Sequence, residues 1–103
     1  MSALVRRVEG AGGFATVLHK GDPNGGIILV QLLERGRFGT LLERMTDLDG
    51  HQEMVPCGPR DGTQDTEISD YISRRKRSDP DLWLVELDIA DGERFAAEIL
   101  CNG

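Results

Sequence analysis

A single α+β domain is the fold that this 103-residue sequence predicts, and three observations lead to it. The length accommodates one ordinary domain but not two. Apolar runs with strand-like spacing fill the first half, whereas residues 65–77 have the spacing of an amphipathic helix. Hydrophobic residues make up 39% and charged residues 29% of the chain, a balance that favours neither disorder nor a membrane protein. We therefore expect residues 1–103 to form one soluble domain.

The N-terminal third predicts a short helix followed by two strands. Leu4 and Val8 fall on one face of that helix, which a cluster of glycines ends. The alternating run Phe14–Lys20 predicts a strand, and the turn-rich segment Gly21–Gly26 predicts a loop. Ile27–Leu33 is apolar at nearly every position, which is typical of a central strand that is covered on both faces.

Three later segments each end in a glycine and predict hairpin turns: Glu34-Arg35-Gly36, Leu48-Asp49-Gly50 and Ala90-Asp91-Gly92. In a three-residue hairpin loop the third position needs the positive φ that glycine adopts readily. At the first turn this loop pairs Leu32 with Phe38. At the last turn it pairs Leu87 with Phe95 and places Trp83 opposite Ile99, so we expect Trp83 to be mostly buried.

These elements predict a mostly antiparallel sheet of five or six strands, made of a meander from Phe14 to Cys57 and a C-terminal hairpin. A helix over 65–77 interrupts them and ends before Pro80. With the N-terminal helix it gives two helices. One helix on each face, in three layers, explains why Ile27–Leu33 is apolar on both sides.

The sequence contains no recognisable catalytic, metal or cofactor motif. Cys57 and Cys101 stand in no Cys-x-x-Cys pair, and nothing marks export, so we expect reduced thiols in a cytoplasmic protein. Asp47-x-Asp49-Gly50 faintly resembles a calcium loop, but Met45 and Pro56 then occupy essential ligand positions. We therefore predict no catalytic residue, no metal and no cofactor.

Two surfaces are candidates for a ligand or a partner. The first is the cationic run Arg74, Arg75, Lys76 and Arg77, which ends a helix and also suits an acidic protein surface. A net charge of −6, a pI near 4.8 and the lack of interleaved aromatics make nucleic acid an improbable partner. The second comprises Gly21 and Asp22 with the cations Arg6 and Arg7. It lacks a phosphate-binding motif and leads into a strand.

Several blocks in the expected order resemble a family of small alphaproteobacterial proteins, domain-of-unknown-function family 1491. They are Ser2–Arg7, Gly13-Phe14-Ala15, Gly21-Asp22, Gly26–Val30 and Asp79–Glu86. The sequence departs from that family at His19-Lys20, where members tend to have two arginines, and members typically carry more residues before the equivalent of Ser2. The resemblance implies a bacterial cytosolic protein. It implies no activity, so it transfers no site residue.

We interpret the chain as a non-enzymatic interaction or regulatory module whose partner is an unidentified protein or a second copy. The alternative is a small enzyme or anionic-ligand binder with its site around Gly21–Gly26. No apolar run approaches the roughly 20 residues that span a membrane, so no membrane role is expected. For a homodimer, the expected contact is an exposed edge formed by Phe95–Leu100 and its neighbour Leu82–Leu84, because the outer strand carries little edge protection.

Overall fold

The computed structural model describes residues 1–23, 26–59 and 65–101. These residues form three helices and a five-stranded mixed sheet. In chain order the elements are α1 (Ser2–Gly10), β1 (Phe14–His19), β2 (Ile28–Glu34), β3 (Arg37–Thr46), β4 (Gln52–Cys57), α2 (Asp65–Ser78), β5 (Trp83–Asp88) and α3 (Gly92–Leu100). The strand order is β1-β5-β2-β3-β4, and β2 runs parallel to β5 while the other neighbours are antiparallel. The α+β class and the mostly antiparallel sheet are confirmed.

Strand β2 lies at the centre of the sheet, as its apolar run predicts. Its consecutive residues Leu29 and Val30 point to opposite faces, and both are 0% exposed. Helices α1 and α3 cover one face of the sheet, the α1/α3 face, where Leu4 of α1 and Phe95 of α3 belong to one apolar cluster. The α2 face carries a smaller cluster against which Tyr71 of α2 packs. The three layers are therefore present, with two helices on one face and one on the other.

The predicted C-terminal hairpin is wrong, because residues 92–100 form helix α3. Strand β5 already has β1 on one edge and β2 on the other, which leaves no edge for a further strand. Asp91 adopts a left-handed conformation (φ 61°), and its carbonyl oxygen accepts the first helical bonds from the amides of Arg94 and Phe95. The described residues therefore form three helices and not the predicted two. The predicted meander from Phe14 is also wrong, because β5 lies between β1 and β2.

The expected dimer edge is corrected for the same reason. Phe95 and Leu100 face the sheet from α3, and Leu84 is only 4% exposed beneath α2. The two edges of the sheet are instead β1 and β4.

The first two glycine-ended turns differ from each other. Between β2 and β3 the loop has two residues, Arg35 (φ 54°) and Gly36 (φ 79°), so Leu33 rather than Leu32 pairs with Phe38. The amides of that loop donate to the carboxylate of Asp88, both at 2.9 Å, and this contact ties the turn to the end of β5. Between β3 and β4 the three-residue loop is confirmed, with Gly50 at φ 88°.

Helix α2 begins and ends within one residue of the predicted 65–77 range. Asn24 and Gly25 of the predicted Gly21–Gly26 loop lie outside the described residues. Among the described helices, none combines the length and the hydropathy that a bilayer crossing requires.

Candidate functional site

A polar cluster joins α2 to strands β3 and β4 on the α2 face. Arg75 donates from Nη1 and Nη2 to Oε1 and Oε2 of Glu43, both at 2.9 Å, and from Nη1 to the Tyr71 hydroxyl at 2.6 Å. Its guanidinium also lies 5.7 Å from the centre of the Tyr71 ring. The bond to Glu43 holds the pKa of Arg75 above its usual range. This bidentate pair is the strong, geometrically specific form of an arginine–carboxylate contact.

The thiol of Cys57 completes this cluster without being activated by it. Burial raises the pKa of the Cys57 thiol, and the hydrogen bond with Tyr71 only partly opposes that effect. Burial also raises the pKa of the Tyr71 hydroxyl. A nucleophilic cysteine needs a lowered pKa, so the arrangement fits a contact that fixes α2 to the sheet.

The predicted cationic run is divided by the helix on which it lies. Arg75 turns inward to Glu43, whereas Arg74 and Arg77 are exposed and Lys76 is partly buried. Residues at consecutive helical positions point in different directions, so these four cations do not form one patch. Arg75, Lys76 and Arg77 lie in the last turn of α2, where cations favour the helix dipole.

A cleft of about 290 Å³ opens on the α1/α3 face, where β2 and β5 begin. Arg44 of β3 reaches it and donates from Nη1 to the carbonyl oxygen of Leu100 at 3.1 Å. The indole N–H of Trp83 donates to the carbonyl oxygen of Asp22 at 2.9 Å. Trp83 therefore shares the face of Val85 and Leu87, as predicted, but it is only partly buried because it forms a wall of this cleft.

The predicted second surface is only partly assembled. A Cβ at Gly21 would collide with the carbonyl oxygen of Asp81, and the amide of Asp22 donates to that same oxygen at 2.9 Å, so this segment lies tightly against 81–82. Asp22 lines the cleft, whereas Arg6 and Arg7 do not. Arg7 instead pairs with Glu98 of α3 at 3.5 Å.

The cation in the cleft is Arg44, which the sequence reasoning missed. The sequence indicates the position of Arg44 only through the alternation of side chains along β3, which puts Arg44 on the face opposite Glu43. In a single sequence a strand arginine of this kind looks like an ordinary surface residue.

The exposed turn between β3 and β4 brings together Asp47, Asp49 and His51, whose ligand atoms lie within 4.8 Å of one another. One oxygen of the Asp47 carboxylate accepts the amides of Asp49 and His51, each at 2.9 Å. These bonds show that the Asp47 side chain stabilises the turn, which explains why the three side chains lie close together.

Strand β1 is an open edge of the sheet. It pairs with β5 on one side, and no other described strand pairs with its outer side. Phe14, Val17 and Leu18 expose 71%, 38% and 48% of their surface. Apolar side chains on an unpaired edge are unusual for a chain that remains alone in solution.

The chain is similar to one protein family and to solved structures of that family. The family model described as "Protein of unknown function (DUF1491)" matches residues 1–97. A crystal structure of a DUF1491 family protein from Caulobacter crescentus CB15 is similar, with 37% identity, a TM-score of 0.75 and coverage of 91% of this chain and 87% of that chain. An NMR structure of a DUF1491 family protein from the same organism has 37% identity and a TM-score of 0.73, covering 91% and 84%.

The solution structure of protein Atu0922 from A. tumefaciens is also similar. It has 33% identity and a TM-score of 0.67, and the match covers 87% of this chain and 81% of that chain. No curated protein matches the chain. The comparisons thus support the fold and leave the surfaces described above to be judged by their own chemistry.

Proposed function

This chain belongs to the DUF1491 family, and on that premise we propose that it is a non-enzymatic interaction module that pairs with a second copy of itself through β1. The observation that carries this proposal is the apolar, unprotected character of that edge strand. Strand β1 contains no proline and no lysine or arginine, the residues that commonly prevent edge-to-edge pairing.

The other edge of the sheet is protected. Strand β4 contains Pro56, which cannot donate a backbone hydrogen bond, and the exposed charge of Glu53. Proteins blunt free edges with such residues because an open edge is a template for a further strand. The difference between the two edges favours β1 as the contact.

A second copy fits this edge by symmetry. An antiparallel pair about a two-fold axis centred on Thr16 sets Thr16 opposite its own copy and Val17 opposite Ala15 of the partner. A Thr–Thr pair is favourable across strands, and no like charges meet. The irregular register between Val17 and His19 keeps this contact short.

Neither cysteine has the character of an activated nucleophile. Burial raises the pKa of both Cys57 and Cys101, which is the direction opposite to that of an activated nucleophile.

Light scattering at several protein concentrations tests the proposal. We expect a two-chain mass for the native protein and a one-chain mass for Thr16→Lys, because the substitution sets two lysines opposite each other at the axis. Thr16 is exposed, so the fold should tolerate the change. The matched control is Glu53→Lys on the β4 edge, which should keep the two-chain mass. A one-chain mass for the native protein at its highest soluble concentration contradicts the proposal.

A further inference from the structure

We propose that the cleft beside Arg44 and Trp83 binds a small organic monocarboxylate with an apolar tail. The proposal is independent of the pairing through β1, because the cleft is lined by other residues: Met1, Asp22, Pro23, Ile28, Arg44, Gln52, Trp83, Ile99 and Leu100.

The anion would bind to Arg44. None of the ion pairs between described residues includes Arg44, in contrast to Arg75, which Glu43 neutralises. Its one hydrogen bond to a described residue is the 3.1 Å contact of Nη1 with the carbonyl oxygen of Leu100. A guanidinium has five N–H donors, so this contact leaves enough of them for a carboxylate. The planar fork of arginine matches the two oxygens of that group.

The tail would lie on the apolar side of the cleft. Ile28 and Leu100 are almost fully buried there, and Ile99 and the ring of Trp83 complete this side. The hydrogen bond from the indole N–H to Asp22 holds the Trp83 side chain in place, so this wall is formed before a ligand arrives. A volume of about 290 Å³ lies just below the range of roughly 300–1,000 Å³ for pockets that hold organic ligands, so only a small ligand fits.

The surrounding charge selects against larger anions. The whole chain carries a net charge of −6. This charge disfavours a phosphate or a nucleotide, because only one arginine of the cleft would offset their several negative charges. A single carboxylate on an apolar body is the ligand that these residues suit.

The chain carries its own reporter, because Trp83 is the only tryptophan. Octanoate is the probe, and 1-octanol is its neutral counterpart with the same chain length. We expect octanoate to change the Trp83 emission in a saturable way and octanol to do so much more weakly. Arg44→Met retains the aliphatic stem and should weaken octanoate binding at least tenfold, about the value of one charge-assisted contact. Arg74→Met, on exposed α2 surface, is the matched control and should leave binding unchanged.

Equal responses to octanoate and octanol, or unchanged octanoate binding by Arg44→Met, would refute the site. So would the lack of saturation below about 10 mM, an affinity too weak for a formed pocket. Because Arg44 also holds the end of α3, its variant could fail to fold, and a second measurement uses the native protein. In nitrogen-15 NMR spectra, octanoate should shift the Trp83 indole and the Arg44 Nε–H signals and leave the Arg75 Nε–H signal in place. Unshifted Trp83 and Arg44 signals contradict the proposal.

Discussion

The two faces of the sheet are covered by different means. On the α1/α3 face, α1 and α3 close a large cluster of buried apolar side chains that includes Leu4, Leu87 and Phe95. On the α2 face, a smaller cluster is supplemented by the contact of Arg75 with Glu43 and Tyr71. The packing of the α1/α3 face is stabilised mainly by the hydrophobic effect, which has no directional preference. The packing of the α2 face also depends on one contact with a specific geometry. Substitutions should therefore act globally on the first face and locally on the second.

Strand β3 connects the two faces through consecutive residues. Glu43 points to the α2 face, where it neutralises Arg75, and Arg44 points to the α1/α3 face, where no described carboxylate pairs with it. An arginine thus fixes α2 to the sheet on one side, whereas the arginine on the other side has no ion pair with a described residue. The position of a single carboxylate makes the difference.

The largest expected effect is the loss of Phe95 from the α1/α3 face. Phe95 is 8% exposed and packs in the cluster, so Phe95→Ala should lower the free energy of unfolding by about 3–4 kcal/mol. Ile72→Ala on the α2 face is the matched change and should lower it by about 1–2 kcal/mol, because Ile72 is only partly buried. Urea unfolding measures both. Equal losses would show that the two faces do not differ in buried area.

A smaller effect is expected from breaking the Arg75 contact. Glu43→Gln leaves Arg75 partly buried without its anion and should lower the free energy of unfolding by about 1–3 kcal/mol. The loss should be local, so hydrogen exchange should accelerate in α2 and remain unchanged in α3. Glu53→Gln, at an exposed position of β4, is the control. Faster exchange in both helices would mean that the two faces unfold together.

The Tyr71 hydroxyl makes a lesser contribution. Tyr71→Phe keeps the ring and removes the oxygen that accepts from Arg75, so we expect a loss of about 0.5–1.5 kcal/mol. Because the hydrogen bond with Tyr71 lowers the pKa of Cys57, its removal should raise that pKa further. Alkylation of Cys57 should then require a more alkaline solution than in the native protein, with Cys57→Ser identifying the site. An unchanged alkylation profile would show that the hydroxyl does not act on the thiol.

The smallest effect is a loss of stability in alkali. Burial raises the pKa values of Cys57 and Tyr71 above their ordinary values of 9.0 and 10.0. The folded protein therefore holds these protons more firmly than the unfolded chain. The resulting stability is complete below the ordinary values and is lost as the pH rises through the folded ones. Thermal unfolding between pH 8 and 11 should show a shallower decline in Cys57→Ser than in the native protein, because Cys57 also raises the pKa of Tyr71. Parallel declines would assign the effect to other groups.

Local patterns in the sequence already determine several elements, for identifiable physical reasons. The run Ile27–Leu33 predicts the central strand because it is too short for a full helix and begins with β-branched residues, and a strand buried on both faces is apolar at consecutive positions. The apolar spacing of α2 and the position of Pro80 predict that helix within one residue. The glycine at the third loop position predicts the Leu48–Gly50 turn.

Where a local sequence pattern is compatible with two different structures, contacts in the tertiary structure decide between them. The segment Phe95–Leu100 satisfies both the alternation of a strand and the spacing of a helix, and it is helical because β1 and β2 occupy both edges of β5. The two-residue loop at Gly36 donates to the carboxylate of Asp88, which lies 52 positions away in the chain. The cleft likewise depends on Arg44, Trp83 and Leu100 lining one place, and no local spacing relates these residues. Periodicity carries information about neighbours within a few residues, whereas strand order and the carboxylate opposite a given cation arise from contacts between distant segments.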